Sequence, residues 1–253
     1  MLNPHIRELG FHEYELPVSH DIGFTALGKV PNIHSDLVVF VPGLAENVEY
    51  FLPLISGTIG QRYTPLIINA LVTQDSRLLQ AVEEGEKLHD LDNLGVFLSN
   101  AFDHLPCRSL SIVSHSLGEA VVLSALEKKE RNLKRYISLA GGITGGPLVD
   151  AERFLAADFV EAISPGLIEE CGFFREEIPA YIEQCIGSFI NYRDRYEHVF
   201  SSLRCPRIFI RGDSDSCTGI SNFDEKIIIP GAGHDICGDS LGILERELVR
   251  VLF

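Results

Sequence analysis

The 253-residue chain is short of positive charge: 21 Lys and Arg side chains face 36 Asp and Glu, a formal net charge of -15. That excess of carboxylates works against binding nucleic acid phosphates or an anionic membrane surface. Long apolar runs are missing too. The longest stretch free of Asp, Glu, Lys and Arg, Tyr136 to Val149, is glycine-rich and too short to span a bilayer. No basic start followed by an apolar run opens the chain, and Glu8, Glu13 and Glu15 interrupt it early, so no secretory signal is expected. The cysteines (Cys107, Cys171, Cys185, Cys205, Cys217 and Cys237) form no CxxC pair. Buried reduced thiols in a cytoplasmic protein are therefore expected over a disulfide framework or a zinc site. His5, His12, His20 and His34 lack metal-ligand spacing and are expected at the surface. There is no internal repeat and no low-complexity segment.

What remains is a globular composition, 45% apolar and 23% charged, long enough to bury a sizeable core. Short apolar runs bounded by turn residues alternate with helix-period stretches. The runs are 36–41, 65–68, 109–113, 135–139, 206–210 and 226–229. Most lack polar alternation, as strands covered on both faces do. Between them, Leu91, Leu94, Leu98 and Phe102 form one helical stripe, 117–129 is rich in helix formers, and Leu241, Leu244, Leu248 and Leu252 predict a closing helix. The pattern predicts an α/β fold, a mainly parallel sheet flanked by helices.

One stretch breaks this rhythm. More residues separate the runs ending at Leu139 and starting at Pro206 than a crossover of about a dozen needs. It opens with Gly141, Gly142, Gly145, Gly146 and Pro147 and carries nine aromatics, among them Phe159, Phe173, Tyr196 and Phe200. The expected organisation is a core of 1–144 and 204–253 with a helical cap, 145–203, inserted.

The sharpest chemical feature is Ser114-His115-Ser116-Leu117-Gly118, between an apolar strand and a helix. A serine on such a tight turn presents its hydroxyl above the sheet, beside the backbone N–H groups of a helix N-terminus. Alone the pattern is weak, since either serine could cap the helix. An acid follows the next-to-last strand, in Gly212-Asp213-Ser214-Asp215, and a histidine follows the last, in Gly231-Ala232-Gly233-His234. Both loops can converge on Ser116 at the carboxyl edge of the sheet. His115 has no partner identifiable from the sequence, and is expected as a packed or solvent-facing elbow residue rather than a second base.

With the loop Val41-Pro42-Gly43-Leu44-Ala45 included, these motifs resemble the α/β-hydrolase superfamily over nearly the whole chain. The resemblance implies Ser116 as nucleophile, His234 as base and Asp215 as orienting acid. It implies the backbone N–H groups of Leu44 and Leu117 as an oxyanion hole, and neither metal nor organic cofactor. Gly43, Phe159 and Phe173 are the expected substrate contacts. Three positions depart from the usual pattern: Ser114 replaces the first elbow glycine, Pro42 replaces a histidine, and Asp215 lies close in sequence to His234. Asp213, and behind it Asp235, therefore compete for the acid role. The expected activity is cleavage of a small, apolar ester or thioester through an acyl-enzyme. Acyl transfer, carbon–carbon bond hydrolysis and a non-catalytic binding role on the same fold are the alternatives.

Overall fold

The computed structural model describes residues 7–17, 23–43, 46, 48–70, 91–129, 131–141, 187, 195–215 and 222–253. Eight strands form one sheet: β1 (His12–Pro17), β2 (Gly23–Gly28), β3 (Asp36–Val41), β4 (Thr64–Ile68), β5 (Ser109–His115), β6 (Leu133–Leu139), β7 (Arg207–Gly212) and β8 (Glu225–Ile229). Their order is β1-β2-β4-β3-β5-β6-β7-β8. From β4 to β8 every neighbouring pair is parallel. The antiparallel β1 and β2 extend one edge. They do not stand out in the sequence: β1 interleaves His12, Glu13 and Glu15 with Tyr14 and Leu16, which hides the apolar run.

The inner strands read as unbroken apolar runs because successive side chains serve two different layers. In β3, Leu37, Val39 and Val41 enter the layer under α3 (Leu91–Asp103) and α4 (Gly118–Lys128). Val38 and Phe40 enter the opposite layer, with Leu54, Ile55, Ile59, Leu244 and Leu248. That second layer is built by the 3-10 turn Val48–Phe51 and by α1 (Leu52–Ser56), α2 (Thr58–Arg62) and α5 (Ile236–Leu252). Each such side chain contributes roughly 1.5–3 kcal/mol when fully buried. The apolar stripe expected on α3 is the buried one: Leu91, Leu94, Leu98 and Phe102 all face the core. In α5, Leu244, Leu248 and Leu252 do so, and the helix axis breaks at Ser240.

The cap expected over 145–203 lies outside the described residues except for 187 and 195–203. Residues 195–202 are helical, and Tyr196 and Phe200 are buried in the α3/α4 layer. Phe200 packs edge-on to Tyr136 and Phe223. These two aromatics belong to the core of the sheet rather than to a substrate pocket. Arg195 ties this helical segment down through ion pairs to Asp92 of α3 and Glu127 of α4. Cys205 and Cys237 are buried, and with Cys107 they carry free thiols. His12 and His34 are exposed. Among the described residues, no helix is long and apolar enough to cross a membrane.

Candidate active site

Because β3, β5, β7 and β8 run parallel, the loops that follow them gather at one edge of the sheet. The loop after β5 is the tightest. β5 ends at His115 and α4 begins at Gly118, which leaves Ser116 and Leu117 to reverse the chain. Ser116 accordingly sits at φ +48°, a left-handed conformation that costs a non-glycine residue on the order of 1–3 kcal/mol and clusters at functional sites. Its N–H donates to the Leu139 carbonyl at 3.0 Å, which ties the turn to β6. Glycine is required two residues on: a Cβ at Gly118 would lie 2.4 Å from the Pro42 carbonyl oxygen. Gly43 is constrained too, though less tightly, since a Cβ there would lie 2.9 Å from that of Ser116.

The extra side chain at the first elbow position is accommodated by burial with partners. Ser114 is fully buried. Its Oγ lies 3.2 Å from Tyr136 Oη, and that hydroxyl donates to Glu119 Oε1 at 3.4 Å. Burial and the Glu119 carboxylate both push the Tyr136 hydroxyl well above its ordinary pKa, so it stays neutral.

The three residues expected to carry chemistry come together. His234 Nε2 lies 2.9 Å from Ser116 Oγ. His234 Nδ1 lies 3.3 Å from each carboxylate oxygen of Asp215. The Asp215 side chain is fully buried, whereas that of His234 is 28% exposed. The two rival acids are engaged elsewhere. Asp213 Oδ1 accepts the Gly231 N–H at 2.9 Å and the Ser214 hydroxyl at 3.1 Å. Asp235 caps α5 by accepting the Gly238 N–H at 2.9 Å. Asp239 Oδ2 completes the histidine loop by accepting the Gly233 N–H at 2.6 Å.

Leu117 stands at the N-cap of α4, directly after Ser116. Leu44, Phe159 and Phe173 lie outside the described residues. Among the described residues, no group of three or more His, Cys, Asp or Glu side chains is placed to hold a metal ion.

His115 is packed rather than solvent-facing, one of the two outcomes expected for it, and the structure supplies the partners that the sequence did not show. It is almost completely buried and has several partners. Its Nδ1 is 2.6 Å from Glu46 Oε1, its Nε2 is 3.0 Å from the His234 carbonyl oxygen, and its ring stacks on Tyr50 at 4.9 Å. Glu46 and Tyr50 were not candidates in the sequence. The only local signal was an acid three residues beyond Gly43. Burial works against the charge of His115, but the Glu46 carboxylate, with the His234 carbonyl and Asp235, outweighs it and holds the imidazole above its ordinary pKa.

No family model matches the chain, and no curated protein does. Solved structures do match in shape. A bacterial membrane phospholipase A superposes with a TM-score of 0.70 at 13% identity, covering 98% of this chain and 88% of the other. Naproxen esterase (carboxylesterase NP) from Bacillus subtilis gives 0.63 at 14%, covering 98% and 95%. A bromoperoxidase from Bacillus anthracis gives 0.66 at 13%, covering 95% and 99%. This breadth at such low identity establishes the fold: the chain has the α/β-hydrolase fold.

Proposed function

We propose that this protein is a serine hydrolase that cleaves a small, apolar ester or thioester through an acyl-enzyme on Ser116. The observation that carries the proposal is the alignment of Ser116 Oγ, His234 and buried Asp215 on a strained turn. In this reading Asp215 accepts the Nδ1–H of His234, which fixes the tautomer whose Nε2 lone pair faces Ser116. His234 takes the hydroxyl proton as Ser116 attacks the carbonyl carbon. The oxyanion is stabilised by the N–H groups of Leu44 and Leu117, and the N-terminus of α4 adds its partial positive charge. His234 then protonates the leaving group and activates a water that releases the acid. No metal or organic cofactor has a role in these steps. Within the segment expected as the cap, 145–203, the part that precedes the core-packed helix 195–202 selects the acyl group, with Phe159 and Phe173 against the substrate. The test is a fluorophosphonate probe followed by peptide mapping. Ser116 should carry the adduct, and Ser116→Ala should lose it while keeping its melting temperature. An adduct on Ser114, or none at all, would overturn the proposal.

A further inference from the structure

We propose that His115 is a positioning residue that clamps the loop bearing Gly43 to the loop bearing His234, so that both are held in register with Ser116. The inference rests on the serine-hydrolase reading above and assigns a role to a side chain outside the Ser116–His234–Asp215 set.

His115 lies at the crossing of three segments. By chain it is the residue before Ser116, so its backbone is part of the elbow. By its Nε2 it reaches the carbonyl oxygen of His234, 3.0 Å away, and so holds the backbone of the base. By its Nδ1 it meets Glu46 Oε1 at 2.6 Å, while Glu46 Oε2 accepts the Gly43 N–H at 2.5 Å. The Glu46 N–H closes the same turn onto the Gly43 carbonyl at 3.4 Å. One imidazole thus links the β3 loop, through a single carboxylate, to the loop after β8. Tyr50 covers the ring on one face, and the ring of His234 lies 5.1 Å away. With the ring protonated, Nδ1 is ion-paired with the carboxylate and Nε2–H serves the carbonyl, which matches the direction in which Glu46 shifts this histidine.

An apolar residue could fill this volume without the desolvation cost of an imidazole and its carboxylate. Filling space therefore does not account for the side chain, whereas fixing two loops relative to the nucleophile does. The requirement is geometric: a displacement of about 1 Å at a reacting group can cost about a hundredfold in rate.

The test uses the full chain with three variants, p-nitrophenyl acetate as substrate and the fluorophosphonate labelling rate at Ser116 as a second readout. His115→Phe keeps a ring against Tyr50 and removes both N–H donors. It should lower kcat and the labelling rate by about 10- to 100-fold, with KM changed by less than about 3-fold, since the defect lies in alignment and not in substrate contact. His115→Gln places an amide nitrogen near the position of Nε2 and should recover part of that loss. Glu46→Gln keeps an acceptor for the Gly43 N–H but drops the charge, and should slow labelling less than His115→Phe does. A folded His115→Phe that labels at the wild-type rate overturns the proposal. So does a loss confined to KM, or a His115→Gln no faster than His115→Phe. If His115→Phe does not fold, Glu46→Gln decides: its carboxylate is partly exposed, and an unchanged labelling rate overturns the clamp. A wild-type protein that does not label at Ser116 is a different failure, that of the serine-hydrolase reading itself.

Discussion

A single methyl group at Gly118 should do more damage than its size suggests. A Cβ there would lie 2.4 Å from the Pro42 carbonyl oxygen and 2.7 Å from that of Val41. Ordinary contact begins near 3.4 Å, so the shortfall is about 1 Å (3.4 − 2.4) at the first atom, the scale on which reacting groups lose alignment. Both obstructing atoms are backbone, and no rotamer change relieves them. Either the start of α4 retreats or the segment from Val41 to Gly43 is pushed away, and Gly43 packs directly on Ser116. Overpacking of this kind costs about 1–3 kcal/mol, and alanine's helix preference returns up to about 1 kcal/mol. A net loss of about 1–2 kcal/mol lowers Tm by roughly 2–8 °C in a domain of this size. The displacement at Ser116 should also slow fluorophosphonate labelling, by up to about a hundredfold. Gly242→Ala is the control. Gly242 lies exposed in α5 with open space around it, so there the same methyl should stabilise by about 0.5–1 kcal/mol. Thermal melts by circular dichroism and labelling rates read both variants. A Gly118→Ala protein that melts and labels like Gly242→Ala would refute the reasoning.

Other perturbations separate roles that the sequence left open. Asp215→Asn should lower kcat on p-nitrophenyl acetate by a factor on the order of 10⁴, as loss of the orienting acid does in a Ser-His-Asp triad. Asp213→Asn should cost far less activity, because Asp213 Oδ1 accepts the Gly231 N–H and the amide oxygen keeps that role; the reverse pattern in kcat would transfer the role to Asp213. Stability should also show an acid limb. Hydrogen bonds from Arg108, Lys129 and Arg207 hold the carboxyls of Asp36, Asp103 and Asp224 below their ordinary range. A lowered folded pKa gives stability that is present above the unfolded value, about 3.9, and is lost as the pH falls through the folded value. Tm should therefore fall below about pH 4 and not between pH 7 and 5; an unchanged Tm from pH 5 down to 3 would contradict the assignment.

Legibility followed the range of each interaction. β3, β5 and β7 could be read from the sequence because both faces of each are buried, which leaves an apolar run such as Leu37 to Val41. β1 could not, because its carboxylates alternate with Tyr14 and Leu16, and only its pairing with β2 makes it a strand. The cap aromatics show the same limit from the other side. Position in the chain put Tyr196 and Phe200 in the expected cap, and only their burial in the α3/α4 layer, with Phe200 against Tyr136 and Phe223, reveals them as core.

The site divides in the same way. A serine between strand and helix, and an acid and a histidine after successive strands, are local patterns tied to one sheet edge, so Ser116 and His234 stand out in sequence. Choosing Asp215 over Asp213 needs the turn itself. There the N–H groups of Asp213, Ser214 and Asp215 bond to Ile229, Ala232 and Gly212, which points one carboxylate at His234 and the other at Gly231. Glu46 and His115 meet only because β3 and β5 are parallel neighbours whose ends bring Val41 beside Ser114. No spacing rule in the chain predicts that meeting. A contact of this kind, polar, buried and made across two loops, has no periodicity to betray it.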